Sequence, residues 1–111
     1  MDLQKRIDFN QFIKEKINER ILRRKILKSK LLKLNSMRNL IERLISNHHQ
    51  SLYYMGLKLD DPAYDDKVKE LNDSKKKEQA EFYRDQIIDL RKQRDNLLAE
   101  IKTTFMEYNK L

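Results

Sequence analysis

The sequence predicts an all-α protein of two long helices joined by a short linker, with the second helix a coiled coil, arranged as an elongated molecule or a helical hairpin. Three observations predict this class. Charged residues make up 39% of the 111 positions and hydrophobic residues another 39%. The chain has one Gly and one Pro, so it offers little turn chemistry. Apolar residues recur mostly at spacings of three and four, the periodicity of an amphipathic helix.

The single Gly and the single Pro divide the chain into three segments. We expect a basic partner-binding helix over residues 1–50, a linker over 51–63 and a coiled-coil helix over 64–111. Gly56 is suited to end the first helix in a left-handed conformation. Asp61 is typical of a helix N-cap, with Pro62 at the first helical position, and no further breaker interrupts a helix from Pro62 onward. Asn35 and Ser36 leave open a break inside the first helix.

The second helix carries a heptad pattern in which the a and d positions are mostly apolar. A coiled-coil seam buries these positions against a second helix, so they are the predicted dimerisation residues. They are Ala80, Tyr83, Ile87, Leu90, Arg94, Leu97, Ile101 and Tyr108. A charged residue at an a position, as at Arg94, lowers stability and can favour two strands. A homodimer is the first expectation, and a bundle in which the first helix packs back onto the second is the alternative.

Positive charge is concentrated in the first half of the chain. Residues 1–47 carry thirteen Lys or Arg against five Asp or Glu, whereas residues 48–111 carry twelve against thirteen. Ile and Leu residues interrupt the basic block on every side of a helical wheel, and Arg20 and Arg24 fall inside the main apolar arc. This mixture argues against a helix lying flat in a membrane and against specific nucleic-acid recognition. Peripheral contact with an anionic membrane stays open.

The basic block also contains the pattern of a partner-binding helix. Ile13, Ile17 and Ile21 are four residues apart and follow Phe12. Such anchors fit an apolar groove in a protein partner, while Arg20 and Arg24 would meet acidic residues at its rim. In the simpler alternative, the same apolar residues pack against the second helix and the arginines face solvent.

Catalytic and metal chemistry have little support in the sequence. The chain has no Cys, which excludes disulfides and cysteine zinc sites. His48 and His49 are adjacent, so on a helix their side chains diverge by about 100°. We therefore expect no enzyme activity, catalytic residue, cofactor or metal site. No apolar run has membrane-spanning length and the N-terminus does not resemble a signal peptide, so an intracellular, soluble protein is expected.

Two stretches resemble a known family. INERILRRKILK at residues 17–28 is similar to the N-terminal helix by which autophagy-related protein 16 docks onto autophagy-related protein 5. QIIDLRKQRDNLLAEI at residues 86–101 resembles the early coiled coil of the same family. The two stretches occur in the family's order with a polar linker between them. A phenylalanine, Phe12 or Phe9, would replace the tryptophan common in the animal docking helix, and the resemblance is to a short form without a propeller domain.

The resemblance implies a short, non-catalytic scaffold that supports autophagosome formation. Phe12, Ile13, Ile17 and Ile21 would enter the groove of autophagy-related protein 5, with Arg20 and Arg24 at its edge. The implied homodimer would use Ile87, Leu90, Leu97 and Ile101. The implied location is cytoplasmic and peripheral on autophagosomal membranes. The alternative function is a subunit or chaperone of another assembly, or a basic helix that binds anionic membrane or nucleic acid.

Overall fold

The computed structural model describes residues 2–111, and this part of the chain forms three α-helices and no strand. The helices are α1 (Leu3–Tyr54), α2 (Tyr64–Lys69) and α3 (Ser74–Asn109). The predicted all-α class with two long helices is confirmed.

The first helix is continuous, and the alternative of a break at Asn35 is not observed. The Asn35 side-chain amide donates a hydrogen bond of 3.1 Å to the carbonyl oxygen of Leu31, one turn earlier. A side chain bonded to the preceding turn leaves the following backbone N–H groups free for the helix. Asn35 and Ser36 therefore lie inside α1 without ending it.

The C-terminus of α1 has the glycine cap predicted from the sequence. Gly56 has a φ of 75°. Its N–H donates to the Tyr53 carbonyl oxygen and the Leu57 N–H donates to the Leu52 carbonyl oxygen, both at 2.9 Å. These are the two hydrogen bonds of a Schellman motif. Leu52 and Leu57, the two positions that are typically apolar in this motif, are both buried.

The prediction of one uninterrupted helix from Pro62 to the end of the chain is wrong. The helix also does not begin at Pro62 with Asp61 as its N-cap, because α2 begins at Tyr64 and its N-cap is Ala63. The Asp61 carboxylate accepts a hydrogen bond of 2.9 Å from the Ala63 N–H in the turn before α2. Helix α2 ends at Lys69, and α3 starts only at Ser74. The Asp73 carboxylate accepts a bond of 2.9 Å from the Lys75 N–H and so caps α3. Side-chain capping can thus interrupt a helix without Gly or Pro.

The chain packs as two compact units, of which unit 2 comprises residues 36–99. In unit 2 the C-terminal part of α1 packs antiparallel to the N-terminal part of α3, with the rings of His48 and Tyr83 5.8 Å apart. The hydroxyl of Tyr64, in α2, donates to the Ala80 carbonyl oxygen at 3.5 Å. The buried apolar residues of this unit are Ile41, Ile45, Leu52, Leu57, Tyr64, Ala80, Ile87, Leu90 and Leu97.

Unit 1 comprises residues 2–35 and 100–111. Lys30 of α1 and Glu100 of α3 form an ion pair with an Nζ–Oε1 distance of 3.6 Å. Leu27 and Thr104, about one turn from that pair on each helix, are both buried. The Thr104 hydroxyl donates to the Glu100 carbonyl oxygen at 2.8 Å, which satisfies this buried polar group. Leu27 precedes Lys30 whereas Thr104 follows Glu100, so the burial of both beside this ion pair indicates that the two helices are antiparallel in unit 1.

The heptad seam predicted on α3 is the covered face of that helix. Each predicted dimerisation residue is buried or half-buried. Those in unit 2 are Ala80, Tyr83, Ile87, Leu90, Arg94 and Leu97, and those in unit 1 are Ile101 and Tyr108. In unit 2 this face lies against α1 of the same chain, as the contact between His48 and Tyr83 indicates. A homodimer through these residues stays a prediction.

Candidate partner-binding surface

The six residues predicted to bind a partner line one groove along α1 in unit 1. With Lys16 they line an open groove of about 390 Å³. We call this surface the N-terminal groove; its residues are Phe12, Ile13, Lys16, Ile17, Arg20, Ile21 and Arg24. Every one of them belongs to the same helix. A groove lined by a single helix face can enclose a ligand only if a partner supplies the opposite wall.

The apolar residues of the N-terminal groove are exposed. Phe12, Ile17 and Ile21 have 54%, 52% and 48% of their surface accessible, against 7% for Leu27 further along α1. Ile13 is also exposed. The alternative prediction was that these residues pack against the second helix. In the described residues 2–111 they do not. Four large apolar side chains in one exposed groove are typical of an interaction surface, whereas a single exposed one is ordinary.

The position of α3 in unit 1 explains this exposure. Two antiparallel helices advance by the same 1.5 Å per residue, so residues equally far from the Lys30–Glu100 pair lie at similar levels. Asn109, the last residue of α3, then lies near the level of Ile21. The part of α1 between Leu3 and Ile21, roughly 27 Å at that rise, has no residue of α3 alongside it in the described chain.

The N-terminal groove continues the face of α1 that is buried elsewhere in unit 1. Ile13 and Arg20 precede the buried residues Leu27 and Leu34 at intervals of seven. Ile17 and Arg24 precede Leu31, which is half-buried, at the same interval. A seven-residue interval returns to nearly the same side of an α-helix. The same stripe thus runs from the packed part of α1 into its uncovered part.

Arginine and lysine side chains make this stripe electropositive. Within residues 2–111, neither Arg20 nor Arg24 has an acidic partner within 4.0 Å. Lys16 lies over the Phe12 ring at 5.6 Å and forms an exposed ion pair of 3.7 Å with Glu19. The two guanidinium groups of the groove are therefore available to acidic groups of a partner.

Other apolar residues of the basic block lie on different sides of α1. Leu22 and Ile26 are about 140° and 180° around the helix from Ile17 and are equally exposed. Leu22 lies beside Glu15, Asn18 and Glu19. Because it is an exposed apolar residue outside the N-terminal groove, Leu22 is a matched control for experiments on the groove.

The two adjacent histidines have different surroundings in unit 2. His48 contacts the aromatic rings of Phe82 and Tyr83. His49 lies beside Arg91, with 3.3 Å between its Nε2 atom and a guanidinium nitrogen. Burial, and secondarily the positive charge of Arg91, lower the pKa of His49 from its ordinary value, and Asp60 opposes them. The described residues contain no group of three or more potential metal ligands.

The sequence reasoning missed the contacts that connect the linker to the helices. Arg91 forms an ion pair of 3.6 Å with Asp60, a linker residue. Arg91 follows Leu90 at an e position, beside the seam, where a long side chain can reach a neighbouring segment. Nothing in the sequence around Asp60 identifies it as the acceptor. An open cleft of about 720 Å³ lies next to this pair, lined by Ser46, His49, Gln50 and Tyr53 of α1 and by residues 57–61 of the linker.

Among residues 2–111, none of the helices combines the length and apolarity needed to cross a membrane. Comparison of the chain with protein-family models, with curated proteins and with solved structures finds no match.

Proposed function

We propose that this protein is a non-catalytic scaffold that docks onto a protein partner through the N-terminal groove. The carrying observation is that Ile13, Ile17 and Ile21 are exposed on one face of α1 and that the exposed Phe12 lines the same groove. Burying this face against a partner would remove apolar surface from water, at roughly 25 cal/mol per Å². The packing of α1 against α3 leaves the groove uncovered and thereby presents it.

The charge of the groove indicates the kind of partner. Arg20 and Arg24 flank the apolar anchors and have no ion-pair partner among residues 2–111. An acidic rim around an apolar pocket would complement them, and such charge pairs mainly raise the association rate and the specificity. The apolar anchors would supply most of the affinity.

Autophagy-related protein 5 is the partner that we put forward first. The resemblance of residues 17–28 and 86–101 to autophagy-related protein 16 supports this choice. In this proposal the protein supports autophagosome formation from the cytoplasm and contacts the autophagosomal membrane peripherally. It dimerises through the α3 seam. In unit 2 that seam lies against α1 of the same chain. In such a dimer, α3 would therefore separate from α1 of its own chain and pack against a second chain.

A binding experiment with two matched variants tests the docking proposal. Purified autophagy-related protein 5 is titrated with the unmodified protein, with Ile17→Asp and with Leu22→Asp, at physiological salt. Both substitutions place a carboxylate on an exposed position of α1, but only Ile17 lies in the N-terminal groove. We expect Ile17→Asp to weaken binding by at least about 30-fold, or 2 kcal/mol, and Leu22→Asp to leave it nearly unchanged.

Circular dichroism of both variants separates docking from folding. Ile17 is 52% exposed, so Ile17→Asp should retain the helix content of the unmodified protein. Loss of helicity would instead indicate that Ile17 belongs to the core of a helical subunit. Equal binding by Ile17→Asp and the unmodified protein would contradict the docking proposal. Binding that disappears between low and physiological salt in all three proteins would indicate simple charge attraction.

A further inference from the structure

We infer that the N-terminal groove binds an acidic amphipathic α-helix of another protein, which packs antiparallel to α1 and in line with α3. This inference rests on the proposed function and specifies the chemistry and the orientation of the partner. Two independent features of unit 1 carry it, namely the continuity of the stripe on α1 and the distribution of charge along that stripe.

Continuity of the stripe indicates that the partner is a helix. Leu27 and Leu34 are buried on the side of α1 that faces α3 in unit 1, and Ile13 and Arg20 lie on the same line at intervals of seven. A surface whose knobs repeat every seven residues is complementary to another helix with the same repeat. A helix that follows on from α3 would therefore meet the same pattern that α3 meets.

The order of residues along the stripe specifies where the partner needs acids. Along the stripe towards the N-terminus of α1, Arg24 lies beside the last turn of α3, Arg20 lies just beyond its end, and the next seam residues are Ile17 and Ile13. A partner helix that starts beyond Asn109 needs carboxylates in its first turn, within reach of the two arginines, and apolar residues opposite the two isoleucines. Because α3 runs towards the N-terminus of α1 in unit 1, the acids belong near the N-terminus of the partner helix.

A second copy of this chain is a poor occupant of the groove. Residues 3–24 carry seven Lys or Arg against three Asp or Glu. Pairing two such segments brings together two surfaces with a net positive charge, which opposes association. An acidic helix has the opposite charge. Its positive N-terminal end would also lie next to the negative C-terminal end of α3, which is favourable for two dipoles in line.

Designed peptides provide the probe. The acidic peptide is about three heptads long, with Glu at the first two seam positions, Leu at the remaining seam positions and Glu with Ala elsewhere. In the first control peptide, Lys replaces the two seam Glu residues. The second control has the same composition with the heptad order scrambled. Fluorescence anisotropy with labelled peptide measures the dissociation constant for the full chain.

Charge reversal in the protein completes the test. Arg20 and Arg24 are both exposed, so Arg20→Glu/Arg24→Glu should keep the fold, which circular dichroism checks. We expect the unmodified protein to prefer the acidic peptide over the Lys control by about tenfold or more, and the double variant to reverse this preference. The scrambled peptide should bind neither protein. Failure of the acidic peptide to bind, or a preference that does not reverse, would overturn the inference.

Disulfide trapping tests the orientation. The chain has no Cys, so Asn109→Cys introduces a single thiol at the end of α3. With oxidised glutathione as the oxidant, a Cys at the N-terminus of the acidic peptide should form a disulfide with it, and a Cys at the peptide C-terminus should not. The opposite result would overturn the in-line arrangement. A third outcome separates this inference from the proposed function. If Ile17→Asp abolishes peptide binding but charge reversal leaves it unchanged, the inference of an acidic helix is rejected, whereas the proposed docking function is not.

Discussion

The guanidinium group of Arg91 lies 3.3 Å from the imidazole Nε2 atom of His49 in unit 2. Arg91 also pairs with the carboxylate of Asp60 at 3.6 Å, so one side chain of α3 contacts both α1 and the linker. Asp60 is largely exposed to solvent, and a surface ion pair of this kind contributes little by itself. The half-buried histidine next to an arginine has a clearer consequence for the pH dependence of folding.

We predict that the protein unfolds more easily below about pH 6 than near pH 7.5. Burial and Arg91 lower the pKa of His49 in the folded state. As the pH falls through the ordinary histidine range, the unfolded chain takes up a proton at His49 more readily than the folded chain does, so the free energy of unfolding decreases. Above that range His49 is neutral in both states and has no such effect. Thermal unfolding at several pH values measures the change.

His49→Gln should reduce the difference in melting temperature between the two pH values. His48→Gln is the matched control, because it removes the neighbouring histidine and leaves the pair of His49 and Arg91 in place. An unchanged pH dependence in His49→Gln would show that other groups are responsible.

Replacement of a seam residue of α3 should destabilise the fold according to its burial. Ile87 has no exposed surface, whereas its neighbour Ile88 is 43% exposed. We expect Ile87→Ala to lower the free energy of unfolding by about 2–5 kcal/mol, because it leaves a cavity in the core. Ile88→Ala should cost less than about 1 kcal/mol. Urea denaturation of both variants checks this, and equal effects would contradict the assignment of the seam.

Light scattering tests whether the same seam also dimerises. Dimerisation through the α3 seam predicts a molecular mass near twice 13.6 kDa at high protein concentration. A monomeric mass over the whole concentration range would leave the seam as an intramolecular interface only. The variant Ile87→Asp, measured in parallel by circular dichroism, should lose helicity, because Ile87 is fully buried in unit 2.

Substitution of Gly56 should reveal the energetic cost of the left-handed cap. Gly56 has a φ of 75°. A Cβ atom at this position would have no atom within 4 Å other than those of Gly56 and its two chain neighbours. Gly56→Ala is therefore strained in its backbone but causes no clash, and we expect a loss of about 1 kcal/mol in the free energy of unfolding. Gly56→Asn should cost less, since Asn tolerates this conformation. Similar costs for the two variants would contradict the explanation by backbone strain.

Arg38 should be a site where a substitution stabilises the protein. It is half-buried in unit 2, and its Nε atom is buried without a hydrogen-bond partner. Counting back from the contact of His48 with Tyr83, it lies close to the level of Arg94, another half-buried arginine. We expect Arg38→Leu to raise the free energy of unfolding by about 1 kcal/mol. Arg43→Leu, at an exposed position of the same helix, should change it by less than about 0.5 kcal/mol.

The sequence was sufficient to predict the elements that depend on local chemistry. The heptad positions of α3 coincide with its covered face. A seven-residue apolar repeat is buried against a second helix whether that helix belongs to the same chain or to another. For the same reason, the repeat alone does not identify that partner. The left-handed conformation at Gly56 was predictable because the chain has no second glycine that could end the first helix.

Features that depend on competition between local and distant contacts were not predictable. Asn35 and Asp73 are both capping-type residues, yet one lies inside α1 and the other starts α3. The burial of Leu27 and Leu34 favours helix through the first site. The predicted groove residues do lie together. Spacing alone places all of them except Phe12 within about 100° of one another on the helix. Their exposure depends on where α3 ends in unit 1, which local patterns do not determine.

The N-terminal part of α1 is helical without being packed, and this affects how it can be recognised. Between Leu3 and Ile21 the helix relies on its own backbone hydrogen bonds, and isolated helices of about this length are only marginally stable in water. Amide hydrogens there should exchange with solvent much faster than those near Leu52, which is fully buried in unit 2. A bound partner would slow that exchange and would have to supply the free energy of ordering the segment, making the complex more readily reversible.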